Sequence, residues 1–155
     1  MMLGTACGEE MDPKNMNFYQ KIDYIIENMP LNWAEYNEVF NGQLNVLKPR
    51  GDKFKTSRTE DIQLPDILIN DIVIREDNFG TFADFGFNSD TCHSPDYFIE
   101  KYFKGEEPES YLGDGINYYY YVLHNLRWKL ELQFGYKGDK KCLIALLFKD
   151  RLYAD

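Results

Sequence analysis

Apolar side chains recur at helical spacing in two neighbouring segments near the start of the chain. Asp12 and Pro13 suit the N-cap and first position of the first helix, and Pro30 ends it. Asn32 and Glu35 form a capping-box pattern that begins the second. Side chains spaced at i, i+4, i+7 and i+11 define the apolar face of the first helix: Phe18, Ile22, Ile25 and Met29. Two adjacent amphipathic helices predict a further layer that they cover.

The C-terminal third of the chain has the two-residue period of β-strands. Residues 117–123 are β-prone, residues 126–134 alternate between apolar and polar, and residues 142–148 are apolar on both faces. Lys137-Gly138-Asp139 is a turn between the last two. We therefore predict an antiparallel meander in which one side of the alternating strand faces the helices: Trp128, Leu130, Leu132 and Phe134.

The middle of the chain carries weaker signals. Short alternating or β-branched runs predict strands at residues 44–47, 67–75 and 81–87. Ser94 and Pro95 begin a short third helix. The segment from 104 to 115, which holds one proline and three glycines, is predicted to be a loop.

These elements predict an α+β fold, with N-terminal helices packed on a curved, mainly antiparallel sheet that ends in a C-terminal β-meander. Residues 1–11 are expected to form a flexible N-terminal segment, and residues 12–155 a single domain. The element order is similar to that of the nuclear-transport-factor-2-like cone. That resemblance implies a small-ligand-binding domain, with a pocket lined by the tyrosines of residues 118–121. A twisted sheet without a pocket is the alternative, in which these rings serve packing.

Composition narrows the classes of protein. The 155 residues are 44% hydrophobic, which is enough for a core, and no apolar run approaches the roughly 20 residues of a membrane span. Lys and Arg number 17 against 26 Asp and Glu, a net charge of −9. This balance disfavours direct nucleic-acid binding. The basic stretch of residues 48–58 lacks the glycine spacing of a phosphate loop and predicts a flexible charged hairpin.

Acidity is concentrated in the middle of the chain. Residues 76–115 carry ten acids and two bases, a net charge of −8. The simplest interpretation is a solvated face. The sharper hypothesis is a surface that binds a basic protein partner, with aromatic side chains as anchors. The candidate partner-binding residues are Asp77, Phe79, Asp90, Glu100, Tyr102, Glu106, Glu107, Glu109, Tyr111 and Asp114.

Chemical signatures are weak. Cys92 and His93 are neighbours in a loop that precedes a helix, but adjacent side chains rarely form a nucleophile–base pair. We therefore expect no catalytic residue, no cofactor and no metal site. The favoured hypothesis is a non-enzymatic acidic inhibitor of a basic partner, similar to immunity proteins or antitoxins. The alternatives are the small-ligand-binding domain and a lipid-anchored envelope protein.

The three cysteines are far apart and odd in number, so a disulfide framework is not predicted. Cys142 lies in an apolar run and is expected to be a small buried hydrophobe. The residues around Cys7, from Leu3 to Glu10, resemble the end of a bacterial lipoprotein signal. The resemblance implies a lipid anchor through Cys7 in a longer native form. The localisation is then the envelope, and otherwise the cytoplasm.

Overall fold

The computed structural model describes residues 11–88 and 90–150, and two capped helices open this part of the chain. Helix α1 spans Phe18–Asn28, and the side chain of Asn17 accepts a hydrogen bond from the Gln20 N–H at 2.9 Å. Helix α2 spans Trp33–Val39 and begins at the predicted capping box. The predicted start of the first helix is wrong, because Asp12 caps a separate 3₁₀ turn at Pro13–Asn15.

Eight strands and a third helix follow within the described residues. Their bounds are β1 Lys48–Arg50, β2 Phe54–Gln63, β3 Leu68–Asp77, β4 Gly80–Gly86, α3 Asp96–Tyr102, β5 Glu109–Gly113, β6 Ile116–His124, β7 Trp128–Lys137 and β8 Lys140–Asp150. Every neighbouring pair is antiparallel, and the order across the open sheet is β1-β2-β3-β4-β8-β7-β6-β5. The predicted α+β class is confirmed.

Two predictions in the middle of the chain are wrong. Residues 44–47 are not a strand, since β1 begins at Lys48. Residues 109–113 are strand β5 rather than loop, paired with the tyrosine-rich β6. Tyr111 and Tyr118 are cross-strand neighbours whose rings stack with centroids 5.2 Å apart. Such pairing stabilises a short strand whose own sequence carries no alternation.

The core lies between one face of the sheet and the helices. Trp128, Leu130, Leu132 and Phe134 are buried there, as predicted. Helix α2 contributes Tyr36, whose ring meets Phe85 of β4 edge-on, and the residue after α3, Phe103, stacks on Tyr121 of β6. All of these side chains belong to one cluster of buried residues. The helix layer therefore contacts both the first four strands and the last four.

The helices of the described chain are short. None of them has the length and hydrophobicity of a membrane-crossing helix.

Candidate partner-binding surface

The ten predicted partner-binding residues do not form one surface. Asp77 and Phe79 lie at the β3–β4 turn, where the Phe79 N–H donates to the Asp77 carboxylate at 2.7 Å. Asp114 lies in the β5–β6 turn, which the antiparallel order places at the opposite end of the sheet. Asp90 is exposed in the segment between β4 and α3. Only the residues from Glu100 onward follow one another along a continuous stretch of α3 and β5.

Tyr102 is held by an internal contact. Its hydroxyl donates to the buried carboxylate of Asp23 on α1, as does the hydroxyl of Tyr97, while the Lys101 ammonium donates at 2.9 Å. Burial and the hydrogen bond to Asp23 raise the pKa of Tyr102, so the phenol keeps its proton. We call this group the Asp23 clasp: Asp23, Tyr97, Lys101 and Tyr102. It fixes α3 to α1 just before the chain enters β5.

The acidic residues of β5 and its approach are exposed. We call the following set the acidic edge: Glu106, Glu107, Glu109, Tyr111, Leu112 and Asp114. Tyr111 is 45% exposed and Leu112 is 67% exposed. Burial raises the pKa of Tyr121 on β6, and the charges of Glu107, Tyr136 and Glu106 raise it further. Leu112 is not among the predicted partner-binding residues, because an exposed leucine in a predicted loop carries no signal.

The turn that follows β5 gives the edge its shape. Asp114 and Gly115 both have positive φ, 50° and 76°, and they connect Gly113 to Ile116 as a two-residue hairpin loop. Turns with two positive φ values match the twist of paired strands, and Asp-Gly is a favoured sequence for them. Asp114 therefore shapes the hairpin as well as adding a charge to the acidic edge.

The two outer strands of the sheet carry opposite charge. Residues 105–116 hold four acids and no base. At the other side of the sheet, the β1–β2 hairpin carries exposed cations and a central proline. We call this set the basic edge: Lys48, Pro49, Arg50, Lys53 and Lys55. It is the charged hairpin that the sequence predicts.

The expectation that the cysteines form no disulfide framework is wrong, although Cys142 is buried as predicted. Cys92 and Cys142 form a disulfide, with Cα atoms 4.7 Å apart, so neither is a free thiol. The pairing arises because the segment after β4 lies along the start of β8, where the Leu143 N–H donates to the His93 carbonyl at 2.7 Å. Burial lowers the pKa of His93. A sulfur in a disulfide is not the thiolate that nucleophilic catalysis requires. The Cys7 prediction lies outside the described residues.

The four consecutive tyrosines alternate between the faces of β6. Tyr119 and Tyr121 stack on Phe134, with centroids 5.6 and 5.9 Å away. Tyr118 contacts Tyr111 and Tyr120 on the face away from the helices. The buried rings are thus packed against aromatic neighbours in the core.

Comparisons with protein-family models, with curated proteins and with solved structures find no match to this chain. The resemblances to a lipoprotein signal and to the nuclear-transport-factor-2-like cone therefore stay predictions. Among the described residues, no group of three or more His, Cys, Asp or Glu side chains is placed to hold a metal ion.

Proposed function

We propose that the protein is a non-enzymatic binding protein whose acidic edge binds a basic protein partner, as an inhibitor of the immunity-protein or antitoxin kind does. One observation carries the proposal. Four acids without a compensating base surround an exposed strand that also presents Tyr111 and Leu112. Interfaces need apolar anchors for affinity and complementary charge for specificity and rate, and this edge offers both.

The charges of this edge have few internal partners among the described residues. Just before the edge, the Glu100 carboxylate lies 3.9 Å from the Lys104 ammonium, and the two side chains are 75% and 80% exposed. An ion pair of that exposure contributes little to stability. Carboxylates that are neither buried nor tightly paired are available to a partner, and we expect the fold to tolerate replacement of the exposed Glu106, Glu107 and Glu109.

The test is a triple charge reversal, Glu106→Lys with Glu107→Lys and Glu109→Lys. The wild-type chain, immobilised, is used to capture a partner from the native host, and association kinetics are then measured between about 50 and 500 mM salt. We expect a basic partner whose association rate falls steeply with salt and roughly tenfold or more with the triple variant. The dissociation rate should change less, because rim charges act mainly on encounter.

A matched control reverses three exposed acids elsewhere: Glu38→Lys, Asp52→Lys and Glu60→Lys. It makes the same change in net charge and should leave most of the association rate unchanged. Two results would contradict the proposed function. One is an acidic partner, and the other is an association rate that does not change with salt and is the same for wild type and both triple variants.

The disulfide favours a second candidate, an exported protein anchored to the bacterial envelope through Cys7. Disulfides persist in oxidising compartments and are rare in the cytosol. Cys92–Cys142 therefore supports the lipoprotein-signal resemblance from a separate part of the chain. This candidate concerns where the protein works, and it is compatible with the binding role.

Expression with the native upstream region in a bacterial host tests this candidate. We expect the chain in the envelope fraction, carrying acyl groups at Cys7 and an alkylation-resistant Cys92–Cys142 pair. A Cys7→Ser variant should be released from the membrane and keep the disulfide. Recovery of the wild-type chain in the cytoplasm with all three cysteines alkylated would rule this candidate out.

A further inference from the structure

The two edges of the sheet differ in their capacity to accept another strand. An edge strand presents unpaired N–H and C=O groups, and proteins protect such edges with lysines, prolines and very short strands. The basic edge has all three protections: β1 has three residues, Pro49 at its centre lacks an N–H, and Lys48 adjoins it. Strand β5 has five residues, no proline and no lysine.

The hairpin turn identifies the outward-facing groups of β5. In a two-residue hairpin the residues flanking the turn form a hydrogen-bonded pair, so Gly113 bonds to Ile116. By alternation Tyr111 and Glu109 also bond to β6. The backbone N–H and C=O groups of Ser110 and Leu112 therefore point away from the sheet, and both residues are exposed. Four aligned backbone groups form one short hydrogen-bonding ladder.

We propose that an extended, cationic segment of the partner pairs antiparallel with β5 as a ninth strand. The proposal rests on the proposed function and specifies how the acidic edge recognises its partner. Backbone hydrogen bonds to Ser110 and Leu112 supply affinity, as in other cases of strand addition. Residues of the added strand that lie opposite Glu109 and Tyr111 carry lysine or arginine, which pairs with the carboxylate and packs over the ring. Residues opposite Ser110 and Leu112 are apolar.

Charge selects this occupant over a second copy of the chain. Two β5 strands side by side would bring eight acids of residues 105–116 together without a base, and like charges on facing strands are destabilising. The basic edge of a second copy has suitable charge, but Pro49 interrupts its ladder. A cationic, proline-free segment of another protein meets both requirements.

The probe is the synthetic peptide acetyl-Lys-Val-Lys-Val-Lys-Val-Lys-amide, titrated while the amide signals of the full chain are followed by NMR. We expect saturable shifts at Ser110 and Leu112 and slower hydrogen exchange of these two amides. The valines lie opposite Ser110 and Leu112, so their backbone N–H groups donate to β5. Methylating these backbone nitrogens removes the hydrogen-bonding ladder and should weaken binding roughly tenfold or more. Methylating the backbone nitrogens of the lysines, whose N–H groups point to solvent, should change the affinity by less than about twofold.

The protein offers a matched pair of variants. Ser110→Pro removes one outward N–H and should lower the affinity for the unmodified peptide by about fivefold or more. Ser110→Ala keeps that N–H and should bind as wild type. Circular dichroism and the thermal midpoint check that Ser110→Pro remains folded, and the methylated peptides test the ladder without any change to the protein.

Three outcomes would overturn strand addition: no saturable binding of the unmodified peptide, equal affinity for the two methylated peptides, or unprotected Ser110 and Leu112 amides at saturation. The proposed function fails separately, when the association rate of the captured partner changes neither with salt nor with the Glu106, Glu107 and Glu109 reversals. Peptide binding that responds to charge but not to methylation leaves the acidic edge as a binding surface and rejects the ninth strand.

Discussion

The basic edge and the acidic edge of this sheet differ in their capacity to pair with a further strand. The basic edge is short and interrupted by proline, so its backbone is closed to further pairing. The acidic edge is longer, ends in a regular hairpin and presents Tyr111 and Leu112 to solvent. A sheet of eight strands thus protects one side and leaves the other open. Among the described residues, an edge exposed in this way is what the proposed strand addition requires.

The segments that lead into the two edges are also held differently. Before β1, the Asn45 N–H donates to the Thr59 hydroxyl and the Asn45 side chain donates to the Arg58 carbonyl, both at 2.7 Å. These contacts span 14 and 13 positions and join the segment to the neighbouring strand β2. Before β5, the chain is fixed by the Cys92–Cys142 disulfide and by the Asp23 clasp, which join residues 50 or more positions apart.

The disulfide should give the largest effect. It connects residues separated by 50 positions, and the loop-closure entropy that it removes from the unfolded chain is worth about 4 kcal/mol. Cys92→Ser with Cys142→Ser should lose most of that free energy of unfolding in urea titrations. Cys7→Ser, which leaves the bond intact, is the control. Equal urea midpoints for the double variant and wild type, both kept oxidised, would show that the bond contributes nothing.

The Asp23 clasp should give the next largest effect, confined to the acidic edge. Asp23→Ala leaves Lys101 and two phenols without their shared acceptor and should cost about 2–3 kcal/mol. Hydrogen exchange should quicken in α3 and β5 more than in β1. Tyr97→Phe removes one donor and serves as a milder comparison. Exchange that quickens equally at both edges would show that the clasp does not act on β5 in particular.

Asn45 is the corresponding test of the basic edge. Asn45→Ala removes the side-chain hydrogen bond to the Arg58 carbonyl at an exposed position, so it should cost about 1 kcal/mol. Faster exchange should be limited to β1 and the part of β2 that pairs with it. Asn45→Asp, which places a carboxylate oxygen opposite the Arg58 carbonyl in place of the donor, should cost at least as much as the alanine variant. Loosening of β5 in either variant would argue that the two edges are coupled.

The smallest effect concerns Asp84, at the junction of the two halves of the sheet. Burial raises the pKa of this carboxyl, the charges of Asp71 and Glu131 raise it further, and Lys149 lowers it. The folded state therefore holds a proton that the unfolded state releases, and stability falls as pH rises above the ordinary value of 3.8.

Asp84→Asn removes this pH dependence. At about pH 7 the variant should be more stable than wild type by at most about 1 kcal/mol, since the group is half-buried, and the difference should shrink toward pH 4. Thermal midpoints across this range check the sign. A stabilisation that stays constant with pH would assign the effect to packing rather than to ionisation. Neither edge should change its exchange rate, because Asp84 lies between them.

The parts of the fold that were predictable are those whose pattern is local. Strand β7 has one buried face and one face toward solvent. Its alternation of apolar and polar residues therefore identified both the strand and the side that faces the helices. The capping box at Asn32 located the start of α2 for the same reason. In both cases the physical constraint acts between residues a few positions apart.

The features that define the candidate site are non-local. Strand β5 is exposed on both faces, so burial imposes no alternation on its sequence, and only its pairing with β6 makes it a strand. The contact between Asp23 and Tyr102 and the bond between Cys92 and Cys142 join residues that only the finished topology brings together. The acidic composition of residues 76–115 was visible, but not its division between the two ends of the sheet.

The strand order has an electrostatic consequence for a charged partner. Seven spacings of about 4.8 Å separate the basic edge from the acidic edge by about 34 Å, measured across the sheet. The screening length of physiological salt is about 8 Å, so the two edges are about four screening lengths apart. An approaching molecule therefore responds to the charge of the nearer edge and not to the net charge of the chain. Only in dilute buffer, near 0.01 M salt, where the screening length reaches about 30 Å, does each edge influence what binds at the other.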